Sequence, residues 1–387
     1  MKPLIAKLRI YQKRWQMQIS ELLARLETKA PASLALEWDN VGLLLGDATR
    51  SFQKALITLD VTPNAVNKAL EIGADLILSH HPLIFRPLKR FSDPLLLKLA
   101  EHRIAVICLH TNLDVAADGV NQALAEKLGL QVTELLSSEQ GGKWYHISVT
   151  VPIGHTNKVA EAVFAAGGGR IGNYRSCSAR HHVTGTFEAG ESAKPFIPGV
   201  LGQTRTTVSE EELEFMVNEA SLRNVLAAVK NSHPYETPLV YWFPVASPNP
   251  GHGLGLIGKL PSSLSLSEIT KLVSERLRCP RPRLWTAGVE PRSRISRIAV
   301  CGGAGASVLP NAEGRAELFI SGDLGYHVLL ESGIPVIDAG HFFTEYPVLE
   351  TLRRWLAGWD LPCEVLPLEE HEYWRQLLEP ATIPTAE

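Results

Sequence analysis

The chain has 387 residues, of which 45% are hydrophobic and 20% are charged, and its formal net charge is -3. This length suits two or three globular domains, and so small a net charge excludes a global basic field that would attract nucleic acid or anionic lipid. The five cysteines are scattered and include no C-x-x-C pair, which argues against a disulfide framework and a thiolate zinc site. We therefore expect a cytoplasmic protein that has no membrane partner, and the sequence contains no strong signal for nucleic-acid binding.

Residues 1–16 contain several Lys and Arg residues but no continuous apolar run and no small-residue cleavage site. They do not resemble a secretory signal, and we interpret them as an N-terminal extension. The first clear helical periodicity begins directly after them, in QISELLARLE.

Strands and helices then alternate along the first half of the chain. In order, the pattern predicts a strand at ALITLDV (55–61), a helix that starts at Thr62 and Pro63 and ends at Gly73, a strand at DLILS (75–79), a helix near 94–102, and a strand at IAVICL (104–109). This alternation predicts a parallel sheet with helical crossovers.

The C-terminal part repeats this scheme. Its segments are RIAVCGG (297–303), AELFISGDLGYH (316–327), a helix through HVLLESG, and IPVIDAGH (334–341). ADLILSHHPLIF at 74–85 parallels AELFISGDLGYH, and IAVICLHTNLD at 104–114 parallels IPVIDAGHFFTE. We predict an α/β fold in which two related α/β halves, residues 17–136 and 247–387, form one unit.

The intervening residues 137–246 have a different texture. They combine strands of alternating polarity, glycine-rich turns and amphipathic helices near 156–166 and 218–231. This pattern predicts a separate inserted α+β domain with an antiparallel sheet.

Five candidate metal ligands follow the predicted strands. His80 and His81 follow DLILS, Asp114 follows IAVICL, and His341 follows IPVIDAG, with Glu345 four residues later. Ligands of open parallel sheets bind beyond the carboxyl ends of the strands, and imidazole and carboxylate donors suit Zn, Mn, Fe or Ni. Adjacent histidines on an extended segment point in opposite directions, which favours two divalent ions about 3.5 to 4 Å apart over one.

Each of these residues also has an ordinary explanation when taken alone. A His-His pair is often a loop feature, Asp114 could form a turn, and Glu345 could be a first-turn carboxylate of a helix capped by Thr344. Their joint position at the strand ends carries the metal hypothesis.

Two histidines, His110 and His327, are candidate catalytic groups that would move protons. His110 precedes Asp114, and His327 lies with Asp323 in SGDLGYH. A metal-bound imidazole needs an acceptor for its other nitrogen, and a hydrolytic site needs a proton carrier. Ordinary hydrogen-bonded histidines explain the same positions equally well.

Other histidines favour structural roles. His233 and Glu236 in SHPYETP fit a turn before a strand better than a site. His181 and His182 lack nearby carboxylates, and we interpret them as surface residues of a strand or loop. No G-x-x-x-x-G-K-[ST] segment and no nucleophile elbow is present, which disfavours a P-loop enzyme and a serine hydrolase.

Several motifs together closely resemble the NIF-three family, whose members are commonly labelled GTP cyclohydrolase 1 type 2 homologues. The motifs extend over residues 17–360 and are EWDNVGLLLGD, SHHPLIF, HTNLD, GLGLIGKL, CGGAGAS, SGDLGYH and DAGHFFTE. The resemblance implies a two-lobed α/β protein with a dinuclear metal centre, two divalent ions held by His80, His81, Asp114, His341 and a bridging Glu345, and a homohexamer. GNYRSCSARHHVTGTF and NSHPYETPLVYWFPV resemble the family's inserted domain, which is similar to the ferredoxin-like CutA and PII folds.

The resulting hypothesis is a metal-dependent hydrolase that acts on a small-molecule substrate, possibly a nucleotide such as GTP. The alternative is a non-catalytic metal-binding regulatory or scaffold protein, whose inserted domain mediates contacts or senses a small ligand.

Overall fold

The computed structural model describes residues 17–137, 144–171, 174–245 and 252–378. Its contacts divide the chain into two compact units, which we describe separately: unit 1 is Met1–Ser137 with Leu254–Glu387, and unit 2 is Ser138–Gly253. The N-terminal extension 1–16 lies outside the described residues. Within the described ranges, no helix combines the length and apolar character needed to cross a membrane.

The strands and helices of the described ranges follow in chain order. The strands are β1 (Met17–Gln18), β2 (Gly42–Leu45), β3 (Ser51–Phe52), β4 (Ala55–Thr58), β5 (Leu76–Ser79), β6 (Ala105–Cys108), β7 (Gln131–Ser137), β8 (Trp144–Pro152), β9 (Ala179–Phe187), β10 (Thr206–Asn218), β11 (Val240–Val245), β12 (Leu254–Ser265), β13 (Arg283–Trp285), β14 (Arg294–Ala304), β15 (Leu318–Gly322), β16 (Val336–Asp338) and β17 (Cys363–Val365). The helices are α1 (Ile19–Lys29), α2 (Pro63–Ile72), α3 (Pro94–Glu101), α4 (Thr111–Val115), α5 (Val120–Leu128), α6 (Thr156–Ala165), α7 (Glu219–Ser232), α8 (Leu266–Leu277), α9 (Leu309–Ala312), α10 (Tyr326–Glu331), α11 (His341–Glu345), α12 (Val348–Gly358) and α13 (Glu372–Leu378).

The first sheet of unit 1 has the order β17-β4-β5-β6-β2. Neighbouring pairs are parallel from β17 to β6, whereas β2 runs antiparallel to β6. Every residue of β4, β5 and β6 is buried, as the continuous apolar runs predicted. The sequence pattern did not predict the edge strands β2 and β17.

The predicted ends of α2 are confirmed. The Thr62 side chain accepts a hydrogen bond from the N–H of Ala65, and Pro63 is the first helical residue. Gly73 ends the helix with a positive φ of 70°, a conformation in which a residue without a Cβ has no steric penalty.

The second sheet of unit 1 has the order β13-β16-β15-β14-β12-β7. Its centre, β14-β15-β16, is parallel, and the three strands around it are antiparallel. Unit 1 therefore has a mixed α/β fold: the strands predicted from the alternation pair in parallel at the centre of both sheets, and antiparallel strands that were not predicted lie at the edges. β7 and β12, which flank unit 2 in sequence, pair with each other and so close the antiparallel edge.

Unit 2 contains one antiparallel sheet with the order β11-β8-β10-β9 and the helices α6 and α7. Alternate residues of the central strands, such as Val149 and Phe215, form a core with helix residues such as Val159 and Val225. The intervening residues of the same strands therefore face away from the helices.

Candidate metal centre

The histidine doublet lies just beyond the carboxyl end of β5. The N–H of His80 donates to Thr58 O and that of His81 to Leu59 O, so the backbone remains tied to the neighbouring strand β4. The two rings do not diverge as on an extended strand, because their centroids are 4.9 Å apart and both Nε2 atoms approach Glu345. His80 is fully buried.

Glu345 is the carboxylate that the imidazoles surround. Its Oε1 lies 2.9 Å from His341 Nε2 and 3.5 Å from His80 Nε2, while its Oε2 lies 2.9 Å from His81 Nε2. Among the described residues, the group whose ligand atoms all lie within 4.8 Å of one another is His80, His81 and Glu345. The two histidines of the doublet thus meet different oxygens of one carboxylate.

The helix that carries Glu345 differs from the prediction. His341 and Glu345 are the first and last residues of α11, and α12 begins separately after Pro347. Thr344 therefore lies inside α11 and caps no helix, so the predicted cap is wrong. Its hydroxyl donates within its own helical turn and accepts from the N–H of Gly303 at 3.0 Å, which ties α11 to β14.

Asp114 approaches the cluster from α4. Its Oδ1 lies 3.6 Å from His80 Nε2, and both atoms are buried without a hydrogen-bond partner among the described residues. Buried polar atoms without partners are costly, and here two of them face each other across a short gap. A cation between them would satisfy both.

The other ring nitrogen of each histidine is already engaged. His80 Nδ1 lies 2.8 Å from Leu109 O, His81 Nδ1 lies 2.7 Å from Asp60 Oδ1, and His341 Nδ1 lies 2.9 Å from Asp323 Oδ2. With a proton donated from each Nδ1, loss of the Nε2 proton to an incoming metal would leave a lone pair directed into the cluster, which is the arrangement that metal-binding histidines use.

Asp323 was a candidate from the sequence, whereas Asp60 and Asp39 were not predicted. Asp60 follows β4 just as His81 follows β5, so the rule that ligand-binding residues lie just beyond the carboxyl ends of parallel strands could have identified it. Asp39 belongs to the EWDNVG loop, and only the tertiary structure brings its Oδ1 to 2.8 Å from His110 Nδ1.

The two candidate proton carriers lie in different surroundings. The ring of His110 is 5.5 Å from that of His80 and 5.7 Å from that of His81. His327 is exposed at the start of α10, and its ring contact within the described residues is with Tyr326. His110 therefore lies beside the cluster, whereas no described contact joins His327 to it.

The remaining sequence candidates belong to unit 2. Both ring nitrogens of His233 are engaged by backbone groups, Thr150 O and the N–H of Tyr235, as expected of a structural turn. Glu236 accepts from the N–H of Lys194. His181 and His182 lie exposed on β9, but the expectation that they lack a nearby carboxylate is wrong, since strand pairing brings Glu214 to 3.4 Å from His181 Nε2.

Two glycines provide room for the cluster. A Cβ at Gly303 would lie 2.3 Å from Glu345 Oε1 and 3.3 Å from His341 Nε2, and a Cβ at Gly322 would lie 2.5 Å from the backbone nitrogen of His341. The CGGAGAS segment thus keeps its backbone against the Glu345 carboxylate, and a residue with a Cβ at Gly303 would have to displace that carboxylate.

A family model described as Duf34/NIF3 (NGG1p interacting factor 3) matches residues 17–371. The chain belongs to this family. A relative from Halalkalibacterium halodurans named GTP cyclohydrolase 1 type 2 homolog is 38% identical over 324 residues, 81% of this chain and 86% of that protein. A relative of the same name from Bacillus subtilis is 34% identical over 331 residues, 83% of this chain and 87% of that protein.

Solved structures agree with this assignment. A Bacillus cereus protein described as related to NIF3 has a TM-score of 0.65 at 31% identity and covers 92% of this chain and 98% of its own. A Staphylococcus aureus protein has a TM-score of 0.69 at 27% identity and covers 92% of this chain and 99% of its own. The predicted family is therefore confirmed.

The charges of this NIF3 family member's cluster are strongly coupled. Burial by itself would lower the pKa of His81 and His341, but the carboxylates around them prevail and raise the pKa values to about 10 and about 9. Burial would raise the pKa of Glu345, yet the imidazoles hold it well below its usual value. Burial, with the Glu345 charge adding to it, raises the pKa of Asp114 to about 6.

These shifts predict that the stability of the metal-free protein and the affinity of the cluster for metal depend on pH. The folded-state pKa values of His81 and His341 exceed the unfolded value near 6.5, so their stabilisation of the metal-free protein is complete below that pH. It is lost as the pH rises through about 9 to about 10. Because a metal must displace the same protons, we expect loading at pH 7 to release protons and metal affinity to rise with pH.

Calorimetric titration of the metal-free protein in two buffers of different ionisation enthalpy measures this release. The expected result is a binding enthalpy that differs between the buffers by at least about twice the difference in their ionisation enthalpies, once for each proton released by His81 and His341. Equal enthalpies would contradict the protonation states described here.

Asp60→Asn is expected to weaken metal binding about 10- to 100-fold without removing a ligand. Asp60 lies 2.7 Å from His81 Nδ1, and an amide neither stabilises the imidazole as strongly nor fixes its tautomer. Titration with Zn²⁺ against a chelator of known affinity measures the loss. Asp47→Asn is the matched control. Among the described residues, the Asp47 side chain accepts hydrogen bonds from Thr49 in its own exposed turn, so its loss should leave the affinity unchanged.

Proposed function

We propose that the cluster is a dinuclear centre for divalent ions, Zn, Mn, Fe or Ni. Glu345 would bridge the two ions, and the other ligands would be His80, His81, Asp114 and His341. The carrying observation is that three histidines direct Nε2 toward one carboxylate while their Nδ1 atoms are engaged elsewhere. The unpartnered pair of His80 Nε2 and Asp114 Oδ1 supports the same proposal. The donor set alone admits several metals.

The function that this centre supports best is hydrolysis of a nucleotide or a related small molecule. Bound divalent ions would lower the pKa of a water molecule and polarise the substrate. The chain itself would supply a proton carrier, His110, oriented by Asp39 at 2.8 Å and lying beside His80 and His81. The relatives named GTP cyclohydrolase 1 type 2 homolog make GTP the first substrate to test.

An aromatic surface next to His110 supports a substrate with a planar ring. Trp38 and Phe85 are 57% and 50% exposed, and their ring centroids are 5.6 Å apart. The Trp38 ring also meets the His110 ring edge-on at 6.1 Å. Exposed aromatic faces of this kind stack on nucleobases. A base bound there would lie close to the proposed metal ions.

The architecture of unit 2 belongs to the same proposal. Its order of elements, β8-α6-β9-β10-α7-β11, is that of a ferredoxin-like domain, which supports a CutA/PII-like assignment.

We further propose that the protein acts as a homohexamer. Light scattering of the purified chain tests this, and a monomeric mass would contradict it.

The test of the proposed activity is turnover of GTP by protein reconstituted with each of the four metals. Chromatography measures the product formed. Product formation should depend on added metal and should disappear in Glu345→Gln, while the oligomeric mass stays unchanged. Stoichiometric metal binding without turnover of GTP or of a nucleotide and phosphoester panel would contradict the hydrolase. That result would favour the regulatory or scaffold alternative, as would a change in oligomeric mass on metal removal.

A further inference from the structure

Unit 2 contains a cavity of about 520 Å³, whose lining residues all belong to this unit. It is bordered by β9, β10 and the segments 193–197 and 235–239, and its strand residues include Glu210 and Glu212. These positions alternate with core residues such as Leu213, so the cavity lies on the sheet face opposite the helices. Its volume falls in the range of small-molecule sites, about 300 to 1,000 Å³.

Glu210 is the deeply buried acid of this cavity, only 5% exposed. The next glutamates on the same face have partners: Ser148 Oγ donates to Glu212 at 2.5 Å, and His146 and His181 approach Glu214 at 3.4 Å. Within the described part of the chain, Glu210 forms no ion pair with Lys, Arg or His. A positive charge beside a largely buried carboxylate stabilises it, and a cationic ligand in the cavity would supply that charge.

Tyr235 provides a second polar group at the same place. Its hydroxyl oxygen is buried and has no hydrogen-bond partner of ordinary geometry among the described residues. Burial and the nearby Glu210 carboxylate raise its pKa, so the hydroxyl stays neutral. The hydroxyl and the Glu210 carboxylate are two polar groups that one ligand head group could satisfy.

The walls of the cavity are aromatic and apolar. The Phe196 and Tyr235 rings lie 6.1 Å apart, and Val183, Ile197 and Leu239 also border the cavity. Aromatic faces attract cations and apolar walls take up hydrocarbon. The charged lining residues are four glutamates (Glu188, Glu210, Glu212 and Glu236) against one lysine (Lys194), which disfavours an anion.

We propose that this cavity binds a small organic cation. Its ammonium group would meet the Glu210 carboxylate and the Tyr235 hydroxyl, and its apolar body would pack against Phe196 and the aliphatic walls. A bare metal ion fits less well, because no group of three metal-ligating side chains within 4.8 Å is found here among the described residues. The proposal stands independently of the metal-centre function.

The test uses 2-phenylethylamine as the probe and 2-phenylethanol as its neutral counterpart, with the full chain at pH 7. Calorimetric or ligand-observed NMR titration should show saturable binding of the amine, about tenfold or more tighter than the alcohol. Glu210→Gln should lower amine affinity at least about tenfold. Glu211→Gln, a change on the same strand outside the cavity lining, should leave it unchanged.

Gly185→Ala gives a second variant that keeps the charge of Glu210. The added Cβ would lie 2.2 Å from Glu210 Oε2, so the carboxylate has to move and amine affinity should fall. This variant decides the question if Glu210→Gln does not fold. Glu345→Gln should bind the amine like the wild type, which separates the result from the metal centre.

The proposal would be overturned by no amine binding by the wild type, by equal affinity for amine and alcohol, or by binding that neither Glu210→Gln nor Gly185→Ala weakens. Binding of Mg²⁺, Ca²⁺ or Zn²⁺ that requires Glu210 and excludes the amine would also overturn it, in favour of a metal site.

Discussion

Glu345→Gln is expected to lower metal affinity by more than about 100-fold, the largest loss of any single substitution in the chain. Glu345 is 3% exposed and contacts three imidazole Nε2 atoms through two oxygens, so no neighbouring side chain can replace it. An amide keeps the shape but removes the charge that would bridge two cations. Competitive titration with a Zn²⁺ chelator measures the affinity, and elemental analysis measures the metal retained after dialysis.

Glu350→Gln is the matched control for this substitution. Glu350 lies on α12, close in sequence, and pairs with Arg353 at the surface. Its loss should leave metal content unchanged and alter stability by less than about 1 kcal/mol, since exposed ion pairs contribute little. Wild-type affinity in Glu345→Gln would show that the carboxylate is no ligand and that the cluster is an ion-pair network of the metal-free protein.

Gly303→Ala is expected to weaken metal binding at least about tenfold, because it displaces a ligand without changing one. The new methyl group would lie 2.3 Å from Glu345 Oε1 and 3.3 Å from His341 Nε2. The backbone φ of 66° adds strain of about 1 to 2 kcal/mol for a residue with a Cβ. Chelator competition gives the affinity, and denaturant unfolding of the metal-free protein gives the stability.

Gly314→Ala separates crowding from backbone strain. Gly314 has nearly the same φ, 71°, but nothing lies within 4 Å of the position of its Cβ. It should therefore lose similar stability and bind metal like the wild type. If both variants lost metal equally, backbone strain would explain the effect, and the close approach of Gly303 to Glu345 would have no functional importance.

The part of the site that the sequence could predict consists of residues just beyond the carboxyl ends of parallel strands. Continuous apolar runs identified β4, β5, β6, β14, β15 and β16, and each was followed by residues that the fold brings to one cluster or its border. His80, His81, Asp114, His341 and Glu345 come together in the structure from both halves of unit 1. Their role as ligands stays a prediction.

The rest of the site depends on contacts between residues far apart in sequence. Asp39 meets His110 across 71 residues, and the N–H of Gly303 meets Thr344 across 41. No local periodicity encodes such pairs, and a capping pattern at Thr344 gave the wrong helix start because the α11 turn and its tie to β14 are set by packing. The expectation that His80 and His81 point in opposite directions was also wrong. It assumed an extended strand, whereas β5 ends at Ser79 and the extended geometry stops there.

Anomalous diffraction from crystals grown with Zn²⁺ tests the central claim most directly. The expected map has two strong peaks per chain on either side of the Glu345 carboxylate, within bonding distance of His80, His81, Asp114 and His341. A map with no peak at Glu345, or with zinc only at the protein surface, would contradict the dinuclear centre.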